Sequence, residues 1–304
     1  MVKRKQAYSE SFKMRVRFFV AAFVVISVAG GITAGMLINK YQFEGESTAT
    51  ILPTSQPEKV EKNLKAYKSC SFWAVDEAGE ESSNLVMVNR SLTAIERIGI
   101  YPCVEGICDI EAMDSDNSGQ FYIIANSKKA IYKVFSDTEN SDSFGKLSYT
   151  ASLSPAYNII SMSFRKSDNS LWAWAPSRGL YTINPTTGLL TLRLASELTY
   201  VDGMAWDNDS RYLYLSRTEG GVGAKNELWR YTPTTNTLES YSKLPGDTDA
   251  LDFGSDGYLY GAYQGDKGTV KIYAIDVGTK EIINTQTIAS DFRNIDALAS
   301  CSSK

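Results

Sequence analysis

Beyond residue 70 the chain alternates apolar and polar residues with a period of two, in short runs broken by Gly, Asp and Asn. The stretch Asp249–Asp276, DALDFGSDGYLYGAYQGDKGTVKIYAID, shows the unit: an apolar run to Phe253, a Gly-Ser-Asp-Gly turn, a second run over Tyr258–Tyr263, and a third over Val270–Ile275. Period-two alternation between turn residues predicts antiparallel strands. The phrase recurs. Third runs read LVMVN from Leu85, IYKVF from Ile131, LYTIN from Leu180, LWRYT from Leu228 and IYAID from Ile272, at spacings of 46, 49, 48 and 44 residues. Second runs follow from Phe72, Phe121, Leu171, Leu213 and Leu259. Turns such as Asn184-Pro-Thr-Thr-Gly188 lead into a fourth run. A four-stranded unit repeating at this period predicts a β-propeller blade.

First runs IEAMD (Ile110–Asp114), IISMS (Ile159–Ser163), VDGMA (Val201–Ala205) and TDALD (Thr248–Asp252) each open a unit, while IDALA (Ile295–Ala299) stands at the C-terminus with nothing after it. The unit beginning at Phe72 lacks a first run. Placing Ile295–Ala299 innermost in that unit closes the ring and leaves no free sheet edge at the joint. The expected fold is all-β: a five-bladed β-propeller of four-stranded antiparallel blades over residues 70–304.

The N-terminus follows a different pattern. Basic residues 3–5, 13, 15 and 17 form a segment over 1–17, followed by Phe18–Ile38, which is free of charge and long enough to span a bilayer. Basic residues on its N-terminal side predict a cytoplasmic N-terminus and a single-pass signal-anchor transmembrane helix. A cleaved signal peptide is the alternative, since the small residues around Ala29-Gly30-Gly31 could accept cleavage. Residues 39–69, rich in Ser, Thr, Pro, Glu and Lys, read as an extracytoplasmic stalk. In both cases the propeller lies outside the cytoplasm.

Charge and composition then narrow the chemistry. Beyond residue 40 the chain holds 24 basic and 34 acidic side chains, which argues against nucleic acid and against an anionic lipid surface. Histidine is absent from all 304 residues, so Ser-His-Asp and Cys-His catalysis within the chain are excluded. The four cysteines fall in two positions. Cys70 and Cys301 flank the hairpin that would close the ring, and Cys103 and Cys108 flank the passage from the first blade to the second. Both pairs are expected as disulfides in an oxidising compartment; a metal site is the alternative, but the spacing lacks paired C-x-x-C knuckles. The terminal bond closes a loop of more than 200 residues, worth on the order of 4–5 kcal/mol by chain entropy.

Aligning the first runs places Glu111, Ile160, Asp202, Asp249 and Asp296 in one column. First strands of a propeller surround its axis, so these acids should gather at one mouth of the central channel, where a carboxylate ring suits calcium. The bland alternative is that each acid caps backbone amides of its own or a neighbouring repeat. Asp114-Ser-Asp116-Asn-Ser-Gly119 has the look of an EF-hand loop, but Ala125 stands where the closing Glu belongs, and the segment reads as a turn. Aromatic columns through Trp73, Tyr122, Trp172, Tyr214 and Tyr260 read as packing between blades; exposure of Trp174 or Trp206 would favour a glycan platform instead.

Val201-Asp202-Gly203-Met204 followed by Asp207 resembles the D-G-M segment of the gluconolactonase/regucalcin family, and Ile110-Glu111-Ala112 is similar to that family's E-G segment. The resemblance implies metal-ligand roles for Asp202 and Glu111. It departs at Ile160-Ser161, where the family has an Asn-Gly ligand, and in blade number, since the family has six. More broadly, DALDFGSDGYLYGAY and LYTINPTTG resemble repeats of secreted bacterial β-propeller proteins across residues 70–301, a likeness of fold more than of function.

Two functions fit. One is a membrane-anchored binding module presenting its loops to a protein, glycan or small-molecule ligand. The other is a metal-dependent hydrolase of lactonase or phosphoesterase type, with Glu111, Asp202, Asp249 and Asp296 holding the ion and one carboxylate acting as base. The lack of a complete metal motif and of a nucleophile–base pair favours the binding module.

Overall fold

The alternating runs become strands β1 to β20 in a computed structural model, which describes residues 70–77, 82–102, 106–136, 144–218, 226–265, 268–289, 292 and 294–301. Five four-stranded antiparallel sheets result. The first joins β1 (Cys70–Glu77), β2 (Ser82–Asn89) and β3 (Ile95–Pro102) to β20 (Ile295–Ser300). The second contains β4 (Ile110–Ser115), β5 (Phe121–Ala125), β6 (Ala130–Val134) and β7 (Leu147–Ser152). The third contains β8 (Ser161–Arg165), β9 (Ser170–Ala175), β10 (Gly179–Ile183) and β11 (Leu190–Ala195). The fourth contains β12 (Met204–Trp206), β13 (Leu213–Thr218), β14 (Asn226–Thr232) and β15 (Thr237–Lys243). The fifth contains β16 (Thr248–Phe253), β17 (Leu259–Gln264), β18 (Thr269–Asp276) and β19 (Glu281–Ala289). Inner strands β20, β4, β8, β12 and β16 pack against one another in that cyclic order, which makes the five sheets the blades of a closed propeller.

Closure takes the expected route. β20 pairs antiparallel with β1, with Phe72 opposite Ser300 and Val75 opposite Ala297. The Cys301 amide then donates to the Ser71 carbonyl at 2.9 Å, and a Cys70–Cys301 disulfide joins residues whose Cα atoms are 5.9 Å apart. Cys103, like Phe18–Ile38 and the rest of residues 1–69, lies outside the described residues. No described helix is long and apolar enough to cross a membrane.

Aromatic pairs mark all five joints between blades: Trp73–Phe121, Tyr122–Phe164, Trp172–Trp206, Tyr214–Phe253 and Tyr260–Phe72, with ring centroids 5.0 to 5.7 Å apart. In three blades the receiving ring follows the inner-strand repeat directly, as Phe164, Trp206 and Phe253. In the other two that position is Ser115 or Ser300, and the ring comes from the residue paired with it across the sheet, Phe121 or Phe72. The space between blades is filled either way. Trp174 and Trp206 are fully buried, so the aromatic columns serve packing.

Two inner strands begin later than the alternation suggests. β8 starts at Ser161 rather than Ile159, because the Asn126 side chain takes both the N–H and the C=O of Ile159. β12 starts at Met204 because the Gly203 amide donates to Ser216 Oγ at 2.7 Å. A Cβ on Gly203 would lie 2.9 Å from the Leu251 amide nitrogen of the next blade, so only glycine lets β12 and β16 approach this closely. Each outer strand also carries one unpaired bulge residue: Ile98, Thr150, Arg193, Tyr241 and Ile283. The bulge faces the same point of the third-strand repeat in four blades and falls two residues later in the fifth. Such bulges add right-handed twist at the rim.

Candidate functional site

Three of the four acids in the column sit at bulges. In β4 the register passes from Ile110 opposite Ala125 to Ala112 opposite Ile124 and so skips Glu111. Asp249 is skipped in the same way between Thr248 and Ala250 on β16, and Asp296 between Ile295 and Ala297 on β20. A bulge re-aims its side chain away from the strict alternation of a strand. Asp202 lies two residues before the start of β12 at Met204.

Glu111, Asp202 and Asp296 line one narrow cavity along the propeller axis with the channel-facing residues of all five inner strands; Asp249 is not part of its wall. The cavity encloses about 10 Å³, room for roughly one water. Amides engage two of the acids. Asn126 Nδ2 donates to Glu111 Oε2 at 3.1 Å, and Asn294 Nδ2 donates to Asp296 Oδ1 at 2.6 Å. Among the described residues no group of three His, Cys, Asp or Glu side chains is placed to hold a metal ion. Asp207, the last residue of the gluconolactonase-like segment, turns to its own hairpin: its Oδ1 accepts from the amides of Arg211 and Tyr212.

Turns take up the remaining acids of interest. Asp116 Oδ1 accepts from the Ser118 and Gln120 amides, and Gly119 adopts a φ of 78°, so the EF-hand-like stretch is the β4–β5 turn. Asp168 and Asp256 do the same work in the third and fifth blades, accepting from the amides of Ser170 and Tyr258.

A second acidic site lies three residues further along the inner strands, beyond the cavity, and the column alignment misses it. Five equivalent backbone amides, one per blade, belong to Ser115, Phe164, Trp206, Phe253 and Ser300. Three side chains accept from all five. Asp114 takes the Ser115 amide on Oδ1 at 2.6 Å and the Phe164 amide of the next blade on Oδ2 at 2.6 Å. Ser163 Oγ takes the Trp206 amide at 3.0 Å. Asp252 accepts from the Ser300 amide on Oδ2 at 2.5 Å and from the Phe253 amide. The fifth position of the first-run repeat reads Asp114, Ser163, Ala205, Asp252, Ala299, so each Asp serves its own blade and the next, and the two alanines need no acceptor of their own.

These carboxyls are buried. Burial pushes the Asp114 carboxyl up to about 6, against the opposing pull of the Phe164 and Ser115 amides and the Ser163 hydroxyl. Burial also pushes the Asp252 carboxyl well above the usual carboxylate range, and the Asp114 charge adds to it. The only sequence signal for this site is the recurrence of Asp and Ser at that fifth position.

No family model matches the chain, and no curated protein matches it. Solved structures resemble it at low identity. A chain of a nidogen/laminin complex aligns with a TM-score of 0.50 and 9% identity, covering 77% of this chain and 99% of that one. A gluconolactonase from Xanthomonas campestris aligns with a TM-score of 0.46 and 14% identity, covering 74% of this chain and 78% of that one. TolB from Acinetobacter baumannii aligns with a TM-score of 0.47 and 15% identity, covering 72% of this chain and 53% of that one. The likeness is one of β-propeller fold.

Proposed function

We propose that this chain is a membrane-anchored, extracytoplasmic binding module whose rigid propeller presents its rim and loops to a partner. The observation that carries this reading is the size of the axial cavity: space for about one water admits neither a lactone nor a phosphate ester between the acids of the mouth. Glu111 and Asp296 already accept hydrogen bonds from amide side chains, which supports a capping role over ligation of an ion. Surface open to a partner lies on the rim, where Tyr149, Leu189, Leu192, Ile282 and Ile283 are exposed apolar side chains. The Cys70–Cys301 bond fits an oxidising compartment and so the proposed address outside the cytoplasm.

Photo-crosslinking of the full chain in its own envelope tests the reading. Probes at Leu192 and Ile283 should yield discrete adducts, whereas a probe at Asp202 should not. Turnover of a lactone or phosphate ester that Asp202→Asn abolishes would replace the binding module with the hydrolase. For the anchor, carbonate-washed membranes should retain the intact chain, and external protease should release the propeller by cutting within residues 41–68. A mature N-terminus between Gly30 and Tyr41 would make Phe18–Ile38 a signal peptide instead. Peptide mapping without reductant should recover Cys103 joined to Cys108.

A further inference from the structure

Asp114 and Asp252 occupy the same position on β4 and β16, the two inner strands that flank β20, and both are buried. Each holds two adjacent blades together through backbone amides: Asp114 joins the second blade to the third, and Asp252 joins the fifth to the first, where β20 pairs with β1. The charge of Asp114 adds to burial in raising the Asp252 carboxyl, so ionisation of one opposes ionisation of the other. We propose that Asp114 and Asp252 form a proton-dependent clasp beyond the axial cavity, tight while the pair retains a proton and loosened when both carboxyls ionise, so that the firmness of the blade joints follows the pH outside the cell.

The surroundings support this. β4 and β16 contribute the two carboxyls, β8 contributes the Ser163 hydroxyl, and β20 contributes the Ser300 amide. Lys166, directly after β8, is the cation that acts on both acids, but its Nζ donates to Asn208 Oδ1 on the exposed turn of the fourth blade. One ammonium engaged with Asn208 does not neutralise two buried carboxylates, and the two amide bonds to each favour its ionisation without relieving their mutual repulsion.

The sign of the effect follows from the direction of the shifts. Both carboxyls titrate higher in the folded chain than in the unfolded one, so the stability they contribute is fully present below about pH 4 and is lost as pH rises through about 6 for Asp114 and higher still for Asp252.

The test is thermal unfolding of the membrane-extracted full chain from pH 4.5 to 8, for the parent and for Asp252→Asn, which mimics the protonated carboxyl in shape and charge. Subtracting the variant's curve from the parent's removes the titration of the other carboxylates. The difference is expected to fall by about 5 °C or more across this range. A difference that is flat, or that rises with pH, overturns the clasp. Should Asp252→Asn not fold, infrared spectra of the parent with carbon-13-labelled aspartate decide: a protonated carboxyl stretch persisting at pH 7 is expected, and its absence at pH 7 refutes the proposal.

Discussion

The two ends of the propeller axis are both acidic, yet their carboxylates do opposite things. At one end Glu111, Asp202 and Asp296 line a cavity of about one water, and asparagine side-chain amides donate to two of them. At the other end Asp114 and Asp252 are buried and, with Ser163, accept every one of the five amides that end the inner-strand repeats. Residue type is the same. What differs is the donor: asparagine side chains meet Glu111 and Asp296, whereas backbone amides of two adjacent blades meet on Asp114 and on Asp252, so that each of those carboxyls ties one blade to the next.

The largest expected effect lies at the clasped end. Ser300, which donates to Asp252, immediately precedes Cys301, so the disulfide holds the clasp's partner in place. Replacing Cys70 and Cys301 by serine together should lower stability by about 5 kcal/mol by chain entropy, against about 2 kcal/mol for the short Cys103–Cys108 loop. Chemical denaturation of the two double variants measures this; equal losses would show that the terminal joint holds without its bond.

Asp252→Ala comes next. It leaves the buried amides of Phe253 and Ser300 without an acceptor, a loss of about 2–5 kcal/mol. Asp202→Ala at the open end should cost about 1 kcal/mol or less. Similar losses at both positions would erase the contrast between the two ends.

Gly203→Ala probes the wall between them. Its Cβ would sit 2.9 Å from both the Leu251 amide nitrogen and Ser216 Oγ, and spreading β12 from β16 should cost about 1–3 kcal/mol. A neutral outcome in the same denaturation series would show that the joint between these blades is softer than its packing implies.

The smallest expected effect concerns calcium at the open end. With the mouth acids acting as caps, the melting temperature should agree within about 1 °C between calcium and chelator. A calcium-dependent rise in the parent that Asp202→Asn or Asp249→Asn removes would make the open end a cation site and restore the hydrolase reading.

Blade number, strand order and the C-terminal origin of β20 were legible because they depend on local rules. Period-two alternation, Gly and Asp at turns, and a repeat spacing of 44 to 49 residues do not require knowledge of distant contacts. The partnership of Cys70 with Cys301 followed from the same register. The acidic column was also legible as a column, since Glu111, Asp202, Asp249 and Asp296 share one position in the repeat.

Tertiary structure alone decided what that column does. At one repeat position Glu111, Asp202 and Asp296 line the axial cavity while Asp249 stays outside its wall, and bulges fall on both sides of that division, so it follows the assembly of the ring rather than the repeat. The clasp was hidden for a related reason. Five amides separated by 42 to 49 residues along the chain meet only when the ring closes, and the alanines at 205 and 299 make sense only once the neighbouring aspartates are known to bond twice. Alternation is a property of one strand and can be read along it; the satisfaction of a buried donor depends on which strand stands beside it, and that is settled only when all five blades are assembled.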